Sequence, residues 1–514
     1  MAVKNKKWFR SLFRRRMFIC MLLIIQIAFF GFVILFGTQQ TKIVSIVLSV
    51  VSYFIAIHVA TKKDVGGYKL VWVFQLLIFP IYGGLLYLLL HLQSSKQKVV
   101  KNLNSISKKT KIEFMLCGDN LERAKQIAPE CISEMRYLQN FAGFPVYLNT
   151  KTKYLSPGEM KFKYLVEELK KAKKYIFLEY FIIEEGLMWN TILEILAQKA
   201  AQGVDVRLIY DDMGCFFILP SNYPARLEAM GIKCKIFNPF RPFLSAIQNN
   251  RDHRKIAIID GLVAFTGGTN LADEYINAYE KYGHWKDASI MLTGTGTWSF
   301  TVMFLQMWSL VNNQNEKISD YYPYKDTPCT VEADGIVQPY ADSPMDNENV
   351  GEHVYLQIIN NAKDYLYINT PYLIVDDSMI SALRLAAKSG VDVRIVTPHK
   401  WDKYLVHVTT RSYYRELVIA GVKIYEYTTG FNHSKTFVCD DKVATVGTTN
   451  LDFRSLYLHF ECGVRMYKTT AIADMKNDFI KTLDICQEIK KEDCKKNIFV
   501  RFFEEFIRLF APLM

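Results

Sequence analysis

Three long uncharged runs open the chain, and after them the hydrophobic positions settle into short strand and helix patterns. Residues 17–37, 43–60 and 70–90 form runs of 21, 18 and 21 residues without a charge. About 20 apolar residues cross a bilayer core, so each run suits a membrane span better than a buried core helix. The third is interrupted by Pro80 and by Gly83 and Gly84, which marks it as the segment to dip into the membrane and return. A cleaved signal peptide fits poorly, because the first run is long, lacks a small-x-small cleavage site and is followed at once by another apolar run. Two to three spans within residues 1–92 are therefore expected, making a multi-pass anchor in the cell membrane.

Beyond a polar, Lys-rich connector, residues 93–157, the patterning turns to alternating β and α. Residues 175–183 read as a buried strand, 192–201 as a helix and 203–210 as the next strand. The order recurs with 365–374, 380–388 and 390–396. The pentapeptide Gly-Val-Asp-Val-Arg stands at 203–207 and again at 390–394, and Gly231 and Lys233 have counterparts in Gly421 and Lys423. One α/β unit is used twice, over residues 158–330 and 331–490, with helices covering a mixed sheet in each. Residues 491–514 are expected to be a C-terminal amphipathic helix, with Ile498, Phe499, Phe502, Phe503, Phe506, Ile507 and Phe510 set among Lys495, Lys496, Arg501 and Arg508. It suits either the surface of an anionic membrane or packing on the domain.

Charge refines this picture. The net charge is +12, but residues 1–16 alone hold seven Lys and Arg and no acid, leaving +5 for the rest. That remainder is too weakly basic for a dedicated nucleic-acid surface, and the tail should stay cytoplasmic. Lys62, Lys63 and Lys69 keep the second loop inside, and the lysines at 96, 98, 101, 108, 109 and 111 argue that the following region stays inside as well. Ten scattered cysteines, with no CxxC pair and no zinc-finger spacing, read as core thiols on a reducing side. Three full spans would instead carry everything after Leu90 outside, whereas the lysines and thiols favour a cytoplasmic-facing catalytic region.

The candidate chemistry falls at equivalent points of the two copies. His253, Lys255, Asp260, Gly267 and Asn270 match His433, Lys435, Asp440, Gly447 and Asn450 at identical offsets. His and Lys two apart on a strand share a face. Asp260-Gly261 and Asp440-Asp441 then turn the strand back on itself. The Gly-rich segment lets backbone approach a ligand, and Asn adds an amide donor. Each copy thus offers a nucleophile or acid, a cation and a donor, all suited to a phosphate oxyanion. Two histidines on opposite sides of one phosphorus would serve a double displacement. Asp260 and Asp440 are counted with the candidate catalytic residues because they recur in both copies, but read mainly as turn residues. Tyr404, His407 and Arg411 lie at helical spacing, where a solvated face is the simpler reading than a lipid-headgroup contact.

These paired motifs resemble the phospholipase D superfamily, whose signature is H-x-K-x4-D-x6-G-[GS]-x-N used twice. Residues 143–150, 178–182, 211–214, 269–275, 369–372, 447–452 and 508–513 extend the resemblance to bacterial cardiolipin synthases. Gly268 and Thr448 stand where many relatives outside the synthases have Ser, and three apolar segments stand where two are commoner. The resemblance implies two phospholipase D-like α/β domains in a pseudo-twofold arrangement behind transmembrane helices. It implies phosphatidyl transfer between two phosphatidylglycerol molecules, giving cardiolipin and glycerol through a phosphohistidine. By the same analogy His253 is the nucleophile and His433 the acid/base, although symmetry leaves the order open. Lys255, Lys435, Asn270 and Asn450 would hold the phosphate. Glu461 occupies the histidine-orienting position of relatives, 28 residues after His433, and Asp287 is the candidate to orient His253. No metal or other cofactor is expected, and the partners are phosphatidylglycerol and anionic membrane lipid, not nucleic acid. A membrane-bound phospholipase D that hydrolyses lipid to phosphatidic acid is the alternative. A silent membrane scaffold would have little reason to carry both motif sets.

Overall fold

The computed structural model describes residues 39–63, 65–91, 94–240, 246–346 and 348–514, with five isolated positions before residue 39. It divides into two units: residues 1–99, 240–249 and 505–514, and residues 100–239 and 250–504. The first apolar run, 17–37, lies outside the continuously described residues.

In the smaller unit the second run is one helix, Gln39–Thr61. Its segment Ile43–Thr61, with mean hydropathy 2.3, is the one described helix long and apolar enough to cross a membrane. The third run is not a single span. It forms two helices, Gly66–Ile78 and Pro80–His91, broken at Phe79. Proline has no N–H to continue the helix and disfavours helical backbone just before it. Phe79 leaves the helical region at φ −124°, ψ 66°. Each piece is shorter than the roughly 20 residues a bilayer core needs. The break falls where the sequence placed it.

The larger unit holds two sheets with one topology. The first contains β1 (Thr150–Leu155), β2 (Tyr175–Tyr180), β3 (Asp205–Asp211), β4 (Lys233–Phe237), β5 (Ile256–Ile259), β6 (Val263–Gly267) and β7 (Ser289–Gly294). They lie in the order β1-β7-β6-β5-β2-β3-β4. The second contains β8 (Ile336–Asp342), β9 (Tyr365–Asn369), β10 (Asp392–Pro398), β11 (Lys423–Tyr427), β12 (Thr436–Cys439), β13 (Val443–Gly447) and β14 (His459–Tyr467). Their order, β8-β14-β13-β12-β9-β10-β11, repeats the first strand for strand, with β15 (Cys486–Ile489) added beyond β11. In both sheets the three strands linked through helices are parallel and the hairpin strands antiparallel, as crossover and tight-turn connections require. Packing repeats too. Phe304 stacks on Phe177 at 4.6 Å, and Phe479 stacks on Tyr367 at 4.8 Å.

The connector is not a free linker. Its end, Thr150–Leu155, is the edge strand of the first sheet, paired along Ser289–Gly294. Tyr147 exchanges backbone bonds with Val337 at 2.9 and 3.0 Å. Glu134, from the short helix Ile132–Arg136, forms a buried ion pair with Arg465. The segment therefore ties the two sheets together.

Asp260 and Asp440 sit at the hairpin tips, away from the histidine ends of the strands. Asp260 and Gly261 both have positive φ, 54° and 67°, as do Asp440 and Asp441 at 52° and 54°. That is the backbone of the two-residue turn whose twist suits a hairpin. Asp260 accepts the backbone N–H groups of Lys173, Lys174 and Tyr175 at 2.7–2.8 Å. Asp440 does the same for Lys363, Asp364 and Tyr365. Each carboxylate thus holds the start of the adjacent central strand. These contacts place both aspartates in the frame of the hairpins, the turn role read for them in the sequence.

Candidate active site

Two short strands bring the copies together by exchange. Arg251–Asp252, just before His253, pairs in parallel with His459 and Phe460 at the start of β14. Gly430–Asn432, just before His433, pairs in parallel with His284–Lys286. The His253 N–H donates to the Phe460 carbonyl at 2.9 Å, and the His433 N–H donates to the Lys286 carbonyl at 2.7 Å. Each histidine therefore lands beside the next residue of the other copy.

That register decides the carboxylates. His253 Nδ1 lies 2.9 and 3.1 Å from the two Glu461 oxygens. His433 Nδ1 lies 2.8 Å from Asp287 Oδ2. Both carboxylates were expected beside histidines, and each lies within hydrogen-bond distance of one Nδ1. The pairing of Asp287 with His253 is corrected, because the exchanged strands carry each acid to the opposite motif. Since a carboxylate only accepts, Nδ1 carries the proton in each ring, and Nε2 keeps the free lone pair.

The acids are held in turn. Glu461 accepts the hydroxyls of Thr448 at 2.5 Å and Ser455 at 2.8 Å. Asp287 accepts its neighbour's N–H, from Ala288, at 2.8 Å. The two copies differ here for a steric reason. A Cβ on Gly268 would meet Asp287 Oδ1 at 2.0 Å, whereas Thr448, its counterpart, has room for a side chain that binds Glu461.

Lys255 and Lys435 are both buried, and each donates to the carbonyl of its own motif histidine, at 2.7 and 2.5 Å. An ammonium has three protons, so two remain for a ligand. Asn270 accepts from the Ile182 N–H at 3.1 Å and donates to Tyr275 at 2.7 Å, which fixes its amide and leaves one N–H. Burial lowers both lysines, Lys255 to about 8 and Lys435 to about 7. Burial, with Lys435 second, lowers His433 to about 4. His253 is driven well below its ordinary value by burial, then by Lys255, Lys435 and His433. Burial thus disfavours the charged forms of these groups, a cost that a phosphate anion held among them offsets.

Comparison with known proteins agrees with this geometry. The family described as cardiolipin synthase, PLD-like domain, matches residues 165–283 and 355–483, each stretch holding one histidine motif. A cardiolipin synthase of Halalkalibacterium halodurans is 32% identical over 480 residues, covering 91% of this chain and 93% of its own. The chain belongs to the cardiolipin synthase family. An uncharacterized protein of Streptococcus mutans is 47% identical over 448 residues, 86% of this chain and 96% of its own. The crystal structure of a phosphatidylserine synthase from Haemophilus influenzae has the same fold, with TM-score 0.54 and 14% identity over 77% of this chain and all of that one.

Several residues of the site escape a motif search. Phe181 packs edge-on against His253 at 5.1 Å, and Trp285 and Tyr275 flank His433 at 5.2 and 5.5 Å. Arg254, the residue between His253 and Lys255, turns into the domain. There it pairs with Glu179 at 2.5 Å and Asp252 at 3.3 Å. The same three positions in the second copy are Ser434, Asn369 and Asn432, where Asn432 donates to Asn369 at 3.0 Å and accepts from the Ser434 N–H at 3.3 Å. A charged trio has a neutral counterpart, so the frame under the two motifs is asymmetric although the motifs are not. The signal was an arginine set just before an apolar strand. Arg411 is bound to Glu426 at 2.8 and 3.1 Å, which accounts for it without a lipid headgroup. Of the nine described cysteines, all free thiols, six are buried and three half-buried.

Proposed function

We propose that the protein transfers a phosphatidyl group from one phosphatidylglycerol to another, releasing glycerol and forming cardiolipin. The observation that carries this reading is the pair of buried histidines, each fixed at Nδ1 by a carboxylate of the other copy and each beside a buried lysine. His253 Nε2 attacks phosphorus and the bond to the departing glycerol oxygen breaks. With the phosphate anion bound, His433 takes up a proton at Nε2, and the resulting imidazolium gives that oxygen its proton while Asp287 keeps hold of Nδ1. The second lipid's glycerol hydroxyl then attacks the phosphatidyl-His253, His433 takes the hydroxyl proton, and cardiolipin leaves with His253 regenerated. One imidazole performs both proton transfers because the two steps are reverses of each other. Lys255, Lys435, Asn270 and Asn450 hold the non-bridging oxygens as charge builds.

Anchoring in the cell membrane is supported by the helix Gln39–Thr61, more than one pass by the further uncharged runs of the sequence, and a cytoplasmic catalytic region by the lysines that flank them. The C-terminal helix Ile498–Leu509 supports a second contact with anionic lipid, since Phe499 and Phe502 are 82% and 71% exposed. Lys495, Lys496 and Arg501 suit the headgroups of such a surface.

The covalent step is tested by quenching the enzyme during turnover of phosphatidylglycerol labelled at phosphorus. The expected result is a base-stable, acid-labile protein adduct, absent from His253→Ala. An adduct that persists in His253→Ala overturns the assignment of the nucleophile.

The electrostatics give a separate expectation. A phosphate anion bound between Lys255 and Lys435 raises their lowered values, so binding near pH 7.5 takes up protons. Calorimetric titration with inorganic phosphate in buffers of different ionisation enthalpy should show that uptake. Lys435→Met should reduce it.

A further inference from the structure

The site contains a third imidazole that the transfer mechanism does not use. His459 stands at the head of β14, two residues before Glu461, with its side chain 12% exposed. Its ring centroid is 5.5 Å from that of His253, and its Nδ1 lies 3.8 Å from Glu461 Oε1, beyond hydrogen-bond reach. Both of its ring nitrogens are buried and neither has a hydrogen-bond partner. A buried imidazole with two unused nitrogens is costly unless something binds it.

We propose that His253, His459 and Glu461 form a reversible site for one zinc-class divalent ion, and that its occupancy switches the enzyme off. The donor atoms of the three residues lie within 4.8 Å of one another, and among the described residues no other group of this kind occurs. Two imidazoles and a carboxylate are a common donor set for zinc. With ligand bonds of about 2.0–2.1 Å, a tetrahedral zinc holds its donor atoms roughly 3.3 Å apart. The present separations from Glu461 Oε1, 2.9 Å to His253 Nδ1 and 3.8 Å to His459 Nδ1, bracket that spacing, and the two imidazole donors lie within 4.8 Å of each other. The carboxylate is already oriented by Thr448 and Ser455, the outer support a ligating acid needs. Lys255 and Lys435 oppose a dication here, which makes the ion exchangeable and not a resident cofactor. The thiols compete poorly, since burial pushes Cys131, Cys234 and Cys462 up to about 12.

Binding displaces the Nδ1 proton of His253 to solvent and replaces its bond to Glu461 with bonds to the metal. The ring is then no longer aimed at phosphorus by its carboxylate. The inhibitory half of this inference rests on the proposed function, whereas the binding half does not.

The test uses full-length, detergent-solubilised enzyme stripped with a chelator. Zinc chloride is titrated with bound metal counted, cobalt chloride is followed by its visible absorption, and phosphatidylglycerol turnover is measured alongside. The expected result is one His459-dependent equivalent of zinc, a tetrahedral cobalt spectrum, and loss of turnover that excess chelator restores. His459→Asn should lose the equivalent and the spectrum and need at least tenfold more zinc for inhibition, and His459→Gln should behave alike. Equal zinc sensitivity in wild type and both variants, or no His459-dependent binding, overturns the inference. Binding and spectrum without any lipid turnover would leave the metal site standing and sink the proposed function instead.

Discussion

Replacing either motif histidine, as His253→Ala or His433→Ala, is expected to cut cardiolipin formation by about 10⁴-fold or more with little change in stability. Groups that act as a unit in covalent catalysis each cost nearly as much as the whole set when removed, which is why the two variants should be similarly inactive. Each side chain projects from its short exchanged strand and makes one side-chain bond, to Glu461 or Asp287. The fold therefore loses little with it. The carboxylates should be graded below the histidines. Asp287→Asn keeps the shape but no longer favours a proton on His433 Nδ1, and a loss between about 10² and 10⁴ in kcat is expected from a misplaced tautomer. Product formation by purified variants, normalised to folded protein, checks both expectations. A His433→Ala enzyme within tenfold of wild type would remove the acid/base from the account.

The signature aspartates should behave in the opposite way. Asp260→Ala leaves three backbone N–H groups of residues 173–175 without their acceptor, two of them at bonds the wild type makes at 2.8 Å and one at 2.7 Å. Unsatisfied groups of this kind cost about 1–3 kcal/mol each, and partial access to water at the hairpin tip offsets some of it. Alanine at φ 54° adds roughly 1 kcal/mol of backbone strain. A net loss of about 3–5 kcal/mol is expected, measured as a shift in the denaturant midpoint. Asp260→Asn, which tolerates the left-handed backbone and retains one acceptor oxygen, should recover about half. Turnover per folded molecule should stay within a few-fold of wild type in both. Stable Asp260→Ala with turnover abolished would return this residue to the chemistry.

The succession of strands and helices along the chain was legible because the duplication wrote it twice. The Gly-Val-Asp-Val-Arg repeat fixed β3 and β10 as equivalents, and the five matched motif positions fixed the hairpins that follow. The carboxylates could be named from their positions but not matched to their histidines. Their pairing depends on strands of two and three residues, 251–252 and 430–432, too short to carry any periodic signal. Strand β1 was hidden for another reason. Its Thr-Lys-Thr-Lys alternation buries the threonines and exposes the lysines, the composition of a protected sheet edge, and that reads as polar connector when met alone. The break at Pro80 was visible because proline acts locally. His459 was invisible as a site residue, since nothing in its neighbourhood of sequence places it beside His253.

The most direct measurement is to incubate the detergent-solubilised enzyme with phosphatidylglycerol and quantify cardiolipin, glycerol and phosphatidic acid together. The account predicts cardiolipin and free glycerol in equal amounts, with phosphatidic acid a minor product. Phosphatidic acid as the main product, or no product from phosphatidylglycerol, would contradict it.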